Sequence, residues 1–404
     1  MMFVFAFLAG LVAADTTDHA GSGLAVSPEG VAPASVVVHH QPAIPIVALR
    51  MSLLVSDPPG FAGAGHLIQH LVYPRLREQV RRVGGQAQIQ RSSDALVYTV
   101  IGPAAELEYL SDALRSVLSP PIATMGEMVV AMRALEEERL AEWETAASHI
   151  RAEMRSRLFP QDLPAPGTAA SAARLEARLL RPIWAEIYQP QRVSVIAVGD
   201  VRLDEVRRVF AELPPPPRER LGESYTDTVP VARLAPAEAT RGWMGLGYSA
   251  ARMDPVALTV TARLLSDDLR SRLPTAGVEV EHWWTHHGQA LAVVVAAPEA
   301  SIPLARRTLG TALTALRQEL TEGQVRAAAT AVRREMLFYA RTPDRMAEVV
   351  GRFTDRDGDP DAAQQFFTDL EVVRLADVQQ VIDRLAERTP VRVDIAPQAL
   401  DRRP

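Results

Sequence analysis

The 404-residue chain has no cysteine. This excludes disulfides, thiolate metal sites and a cysteine nucleophile, and leaves histidine and carboxylates as the strong metal ligands. It also lacks a basic block: 43 Lys and Arg stand against 49 Asp and Glu, a net charge of −6, which argues against nucleic acid or an anionic membrane surface as partner. Past the N-terminus, no apolar run approaches the ~18–20 residues that span a bilayer. There is no Gly-x-Ser-x-Gly nucleophile elbow. Gly63-Ala64-Gly65 opens a predicted helix but is not followed by the Lys-Ser/Thr of a phosphate loop. What is present is ordinary globular composition, in a chain long enough for two domains of about 150–200 residues.

Residues 1–14, MMFVFAFLAGLVAA, read as a short signal peptide without a basic n-region, with small residues before Asp15 at the cleavage point. A bacterial periplasmic or secreted protein is the expectation. Residues 15–30 read as a flexible leader. Ser35–His40 and Ile44–Val55 suggest paired strands, and a turn at Asp57-Pro58-Pro59-Gly60 leads into a helix at His66. A second helical stretch is expected from Pro74 to Val83, one strand over Gln86–Ile101, and a helix over Ala104–Leu118. One long amphipathic helix is expected over Met125–Phe159, then a strand at Arg192–Val198 and a helix at Leu203–Leu213.

Residues 214–230 open with four prolines and read as a linker. Beyond them the pattern restarts: a strand at Gly242–Tyr248, a helix at Pro255–Arg272, a strand at Gln289–Ala297, further helices, and a closing strand at Val391–Ile395. QRVSVIAVGD at 191–200 is echoed by TPVRVDIAPQ at 389–398, an offset of 198 residues. The fold class is therefore α+β, with two domains of similar plan at 31–213 and 231–400 related by an internal repeat.

The residues with most chemical content are Gly63-Ala64-Gly65-His66-Leu67-Ile68-Gln69-His70. His66 and His70, four apart on a helix, share a face at a spacing that one zinc ion can bridge. A glutamate at position 69 would complete the inverted zinc-peptidase motif His-x-x-Glu-His, and Gln69 stands there instead. By itself such a pair is also a common surface or core feature. His282, Trp284 and His286 share a strand face, where an aromatic surface is favoured over a second metal site. His39 and His40 are adjacent and point to opposite faces.

The motif and its surroundings resemble the insulinase family, which includes pitrilysin and the mitochondrial processing peptidase. The family's Gly-Gly-x-x-Asn-Ala-x-Thr-Ser strand is similar to Gly84 through Tyr98, with Gln88, Ile89 and Arg91 at the usual Asn, Ala and Thr. Ile187 through Asp200 is similar to a second signature, and Asp254–Leu273 to a helix of the family's second half. The resemblance covers about 35–398 and implies two mitochondrial-processing-peptidase-like domains, each an antiparallel-rich sheet packed by helices. It implies a zinc ion (Zn2+) at His66 and His70, with a glutamate on a later helix as third ligand. Glu138, 68 residues beyond His70 in Leu135-Glu136-Glu137-Glu138, is the choice and Glu137 the next.

The resemblance gives position 69 to the general base. Glutamine keeps the shape and loses the basic oxygen, so His-x-x-Gln-His reads as metal-competent and peptidase-deficient. Gln88 and Arg272 fall at substrate-binding positions. The Arg/Tyr pair with which active members grip substrate is incomplete, because no tyrosine stands near Arg272; the nearest are Tyr248 and Tyr339. The leading expectation is a catalytically impaired subunit that pairs with a complete insulinase-family partner and helps to hold peptide or unfolded protein. The alternatives are an active zinc endopeptidase using another base (Glu136, Glu137 or Glu78) or a partner's groups, and a non-enzymatic peptide-binding or scaffold protein.

Overall fold

The structure is a computed structural model that describes residues 33, 35–91, 94–160, 162, 166–214, 221, 241–285, 287–359 and 361–396. The expected signal peptide, the 15–30 leader, His286 and nearly all of the 214–230 linker lie outside these residues.

The first half of the chain gives β1 (Ser35–His40), β2 (Ile46–Leu54), α1 (Ala64–Arg82), β3 (Gln86–Arg91), β4 (Ala95–Pro103), α2 (Leu107–Ser116) and α3 (Met125–Glu144). It continues with α4 (Ala146–Leu158), α5 (Ala169–Ala172), α6 (Leu180–Ile187), β5 (Val193–Gly199) and α7 (Leu203–Val209). The second half gives β6 (Gly242–Ser249), α8 (Pro255–Arg272), β7 (Gly277–Thr285), β8 (Gly288–Ala297) and α9 (Ile302–Glu319). It ends with α10 (Glu322–Tyr339), α11 (Pro343–Asp357), α12 (Ala362–Val372), α13 (Leu375–Ala386) and β9 (Val391–Ile395).

The fold is α+β with two sheets. One has five strands in the order β1-β5-β2-β4-β3, and the other four in the order β7-β8-β6-β9. Every pairing is antiparallel except the parallel pair of β1 with β5. The same path is traced twice: strand, long helix, hairpin, and a late strand returning beside the first.

The described chain forms two compact units that are not simply its two halves. The first comprises Met1–Leu135, Ala165–Asp227 and Leu337–Gln365, and the second Glu136–Pro164, Thr228–Met336 and Phe366–Pro404. Each half thus lends one helix to the other's sheet: α11 packs on β2 and β5, and α4 packs on β6 and β9.

In the first unit, alternation sends Val47, Leu49, Met51 and Leu53 of β2 into a core with Leu67, Ile68 and Leu71 of α1. Arg50 and Ser52 point the other way, where both bond Asp355 of α11 and Arg50 does so at 2.6 Å. The guanidinium fits because α11 has glycine there; a Cβ on Gly351 would lie 2.2 Å from Arg50 Nη1. In the second unit the small residues are on the sheet. A Cβ on Gly245 would meet Ile150 and Met154 of α4 at 2.5 and 2.9 Å.

Four local expectations are corrected. β1 and β2 do not pair, because β5 lies between them. Such an insertion is set by non-local pairing that sequence proximity does not reveal. Residues 64–82 form one helix with Pro74 inside it. Proline removes the bond to the His70 carbonyl, but burial of Leu71, Leu76 and Val80 in the core holds the helix together. The single strand expected at 86–101 is the hairpin β3–β4. The long helix at 125–159 breaks at Thr145, which is extended (φ −106°, ψ 150°) and forms a capping box with Ser148.

Candidate metal centre

The N-terminus of α1 is fixed before its histidines begin. Gly63 has φ +85°, and a Cβ there would lie 2.8 Å from the Pro166 carbonyl, so backbone angle and packing both require glycine. Asp57 is buried and accepts hydrogen bonds from the Gly63 and Gly65 amides at 2.8 and 2.9 Å. Its charge faces Arg91 of β3 at 3.4 Å, with both side chains almost fully enclosed. Ser171 Oγ donates to the Ala62 carbonyl at 2.7 Å, and Arg174 to the Gly60 carbonyl at 3.0 Å. The first turn is therefore clamped on several sides.

One turn in, the His66 and His70 rings stack with centroids 4.7 Å apart and planes inclined by 25°. His66 is buried and His70 half-buried. Glu138 reaches them from α3. Met128, Ala131 and Leu135 of that helix face the first unit's core. Glu138, one turn past Leu135, continues their stripe at helical spacing. The unit boundary falls inside α3, after Leu135, and the helix runs through it unbroken. Glu136 falls off the stripe; Arg139, bonded to it at 2.7 Å, holds its carboxyl below the usual carboxylate range.

His66, His70 and Glu138 each offer a ligand atom within 4.8 Å of the other two, and theirs is the only such group among the described residues. Tetrahedral ligands at about 2.0–2.1 Å from zinc lie roughly 3.4 Å from one another. Closing from 4.8 Å needs only small side-chain rotations. Two imidazoles and a carboxylate on two helices, with a fourth position open, are the donor set of a catalytic zinc. The residues fit the ion.

Gln69 is fully buried. Its Nε2 donates to the backbone carbonyls of Gln90 (3.1 Å) and Val97 (3.2 Å) in the β3–β4 hairpin. Because two carbonyl oxygens face it, the nitrogen must be the atom on that side. Oε1, enclosed as well, has no hydrogen-bond partner among the described residues. One turn on, Tyr73 donates to the Ala87 carbonyl at 3.1 Å. Gln69 and Tyr73 thus fasten α1 along edge strand β3.

Of the other predicted site residues, Gln88 is exposed on β3. Arg272 belongs to the second unit, where it bonds Asp268 at 2.7 Å and Glu319 at 2.8 Å. His282 stacks on Trp284 at 4.9 Å, and its ring nitrogens meet Thr259 Oγ1 and Gln289 Oε1 at 2.8 and 2.9 Å. That is the aromatic strand face favoured from sequence. Sequence reasoning missed Asp57 and Tyr73. Asp57 looked like a turn residue, and its spacing of six and eight from the glycines it serves matches no local cap pattern.

Neither a protein-family model nor a curated protein matches the sequence. Solved structures do match. A protease from Helicobacter pylori superposes with a TM-score of 0.72 at 16% identity, covering 91% of this chain and 99% of that one. A peptidase M16 inactive domain from Pseudomonas fluorescens gives 0.73 at 14% identity, over 92% and 98%. A chain of complex III2 from Candida albicans gives 0.74 at 11% identity, over 91% and 95%.

The chain has the fold of the M16 peptidases. This is the two-domain fold that the resemblance to the insulinase family implies. At such identities the M16 fold does not carry the chemistry, which rests on the residues just described. No described helix is long and apolar enough to cross a membrane.

Proposed function

We propose that this is an M16-type metallopeptidase-like chain that holds zinc at His66, His70 and Glu138 and cleaves peptides poorly or not at all. The observation that carries this reading is Gln69, buried beside a ligand set that fits the metal, with its amide committed to two strand carbonyls. Zinc bound there would lower the pKa of its water towards ~7 and polarise a carbonyl. His66 and His70 hold it from α1, and Glu138 from α3. Gln69 has no basic oxygen to take the water's proton, a loss that costs about 10²–10⁴ in rate. Glu136, engaged by Arg139, is no ready substitute.

Peptide would lie along β3, the exposed edge of the first sheet, as an added strand. Impaired chemistry beside an intact cradle suits a subunit that works with a second M16-type chain bearing a complete site. The missing Arg/Tyr pair and the neighbouring structure described as an inactive domain support that partnership. Residues 1–14 favour the bacterial periplasm or secretion.

The test is hydrolysis of a quenched-fluorescent peptide library by the zinc-loaded chain, with and without EDTA. No EDTA-sensitive turnover is expected. Robust cleavage abolished by EDTA would overturn the impaired reading in favour of another base.

A further inference from the structure

The end of the β3–β4 hairpin holds α1 at two points, and each lies one residue before a metal-site histidine. Gln69, directly before His70, donates to the carbonyls of Gln90 and Val97, which are partners across the hairpin. Gly65, directly before His66, donates its amide to Asp57 Oδ1 at 2.9 Å, and Gly63 donates to Oδ2 at 2.8 Å. Asp57 is in turn paired with Arg91, the residue after Gln90, at 3.4 Å. All of these residues belong to the first unit.

The fit at Gly65 is close. A Cβ there would lie 2.9 Å from Asp57 Oδ1 and 3.3 Å from Leu96 Cδ2. Leu96 is the partner of Arg91 in the hairpin register. Glycine at 65 thus lets the first turn of α1 rest on the carboxylate and on the hairpin end together.

The Asp57 and Arg91 side chains are 2% and 3% exposed. A carboxylate so enclosed is costly unless its charge is answered, and Arg91 is its only ion-pair partner among the described residues. Arg91 gains little else from its burial: its Nε and Nη1 have no hydrogen-bond partner among the described residues. It is also a departure from the resembled strand, where threonine is usual. An arginine kept at that cost points to a role for the ion pair beyond the hairpin itself.

We infer that Arg91 is a positioning residue for the metal centre: paired with Asp57, it fixes the turn that carries His66 and so sets how well His66 and His70 share one ion. The inference rests on the zinc reading under Proposed function. Asp57 and Arg91 act through the backbone of residues 63–65. Loss of such support around metal ligands weakens metal binding by about 10–100-fold.

The experiment measures the zinc Kd of the full chain by competition with a fluorescent chelator, alongside the melting temperature. Arg91→Met keeps the apolar stem and drops the charge, and its Kd should rise about tenfold or more. Arg91→Lys restores the charge and should bind within about threefold of wild type. The double variant Asp57→Asn with Arg91→Met strands no charge, so it keeps the test open if the single variant does not fold, and its Kd should rise likewise. Ser52→Ala is the control, because it takes a hydrogen bond from buried Asp355 on the opposite face of the same sheet. It should melt lower and keep the wild-type Kd. Arg91→Met and the double variant binding zinc as tightly as wild type, or Ser52→Ala weakened as much as they are, would overturn the inference and leave the zinc site standing. A wild-type chain that binds no zinc would overturn both.

Discussion

The two units follow one plan and differ in what they bury. In the first, β2, α1, β3, β4 and later β5 repeat the path of β6, α8, β7, β8 and later β9 in the second. Both long helices lie against the edge strand of their hairpin. α8 buries Val256, Leu258, Leu265 and Leu269, and the hydroxyl of its buried Thr261 bonds inside the helix to the Ala257 carbonyl. At the corresponding place α1 buries His66 and Gln69. The outer faces differ likewise: apolar Ile150 and Met154 against glycine in the second unit, and an Arg50–Asp355 ion pair against glycine in the first. The second unit shows that this plan folds with no histidine or carboxamide buried on its long helix. His66 and Gln69 on α1 therefore cost stability that the plan does not require, as expected where function sets the residue.

The largest effect should come from breaking the charged outer face. Asp355→Ala leaves Arg50 buried and unpaired, and should cost about 3–5 kcal/mol in urea denaturation. The double variant Arg50→Met with Asp355→Leu, which makes this face apolar like its counterpart, should fall within about 1 kcal/mol of wild type.

Next comes the fastening of α1. Gln69→Leu strands the Gln90 and Val97 carbonyls and should cost about 1–3 kcal/mol. Gln69→Glu sets a carboxylate oxygen against those same carbonyls. It should melt lower than wild type, and assayed with zinc it should recover less than the full ~10²–10⁴ that a placed base provides. Full recovery at unchanged stability would mean that Gln69 matters only as a lost base. The smallest effect is Tyr73→Phe, which removes one hydrogen bond to β3 and should cost about 0.5–1.5 kcal/mol by the same denaturation assay.

How much of this was legible in the sequence follows from range. The repeat and the α+β class could be read from local period and His66 with His70 from a motif, whereas Glu138 came from the family resemblance; the structure brings the three side chains together. Glu138 was a choice among three glutamates, and the structure explains it: only Glu138 continues the stripe of Met128, Ala131 and Leu135. The insertion of β5 between β1 and β2, and the exchange of α4 and α11, depend on pairings far apart in the chain. Arg50 and Asp355, 305 residues apart, give no local sign of each other. Pro74 misled because proline ordinarily ends a helix, and here core burial on both sides of it prevails.

The metal content of the chain tests the zinc site most directly. After equilibration with zinc and exhaustive dialysis, elemental analysis should find about one zinc per wild-type chain and almost none in His66→Ala. Less than about 0.2 zinc per wild-type chain, or equal retention by His66→Ala, would contradict a zinc site at His66, His70 and Glu138.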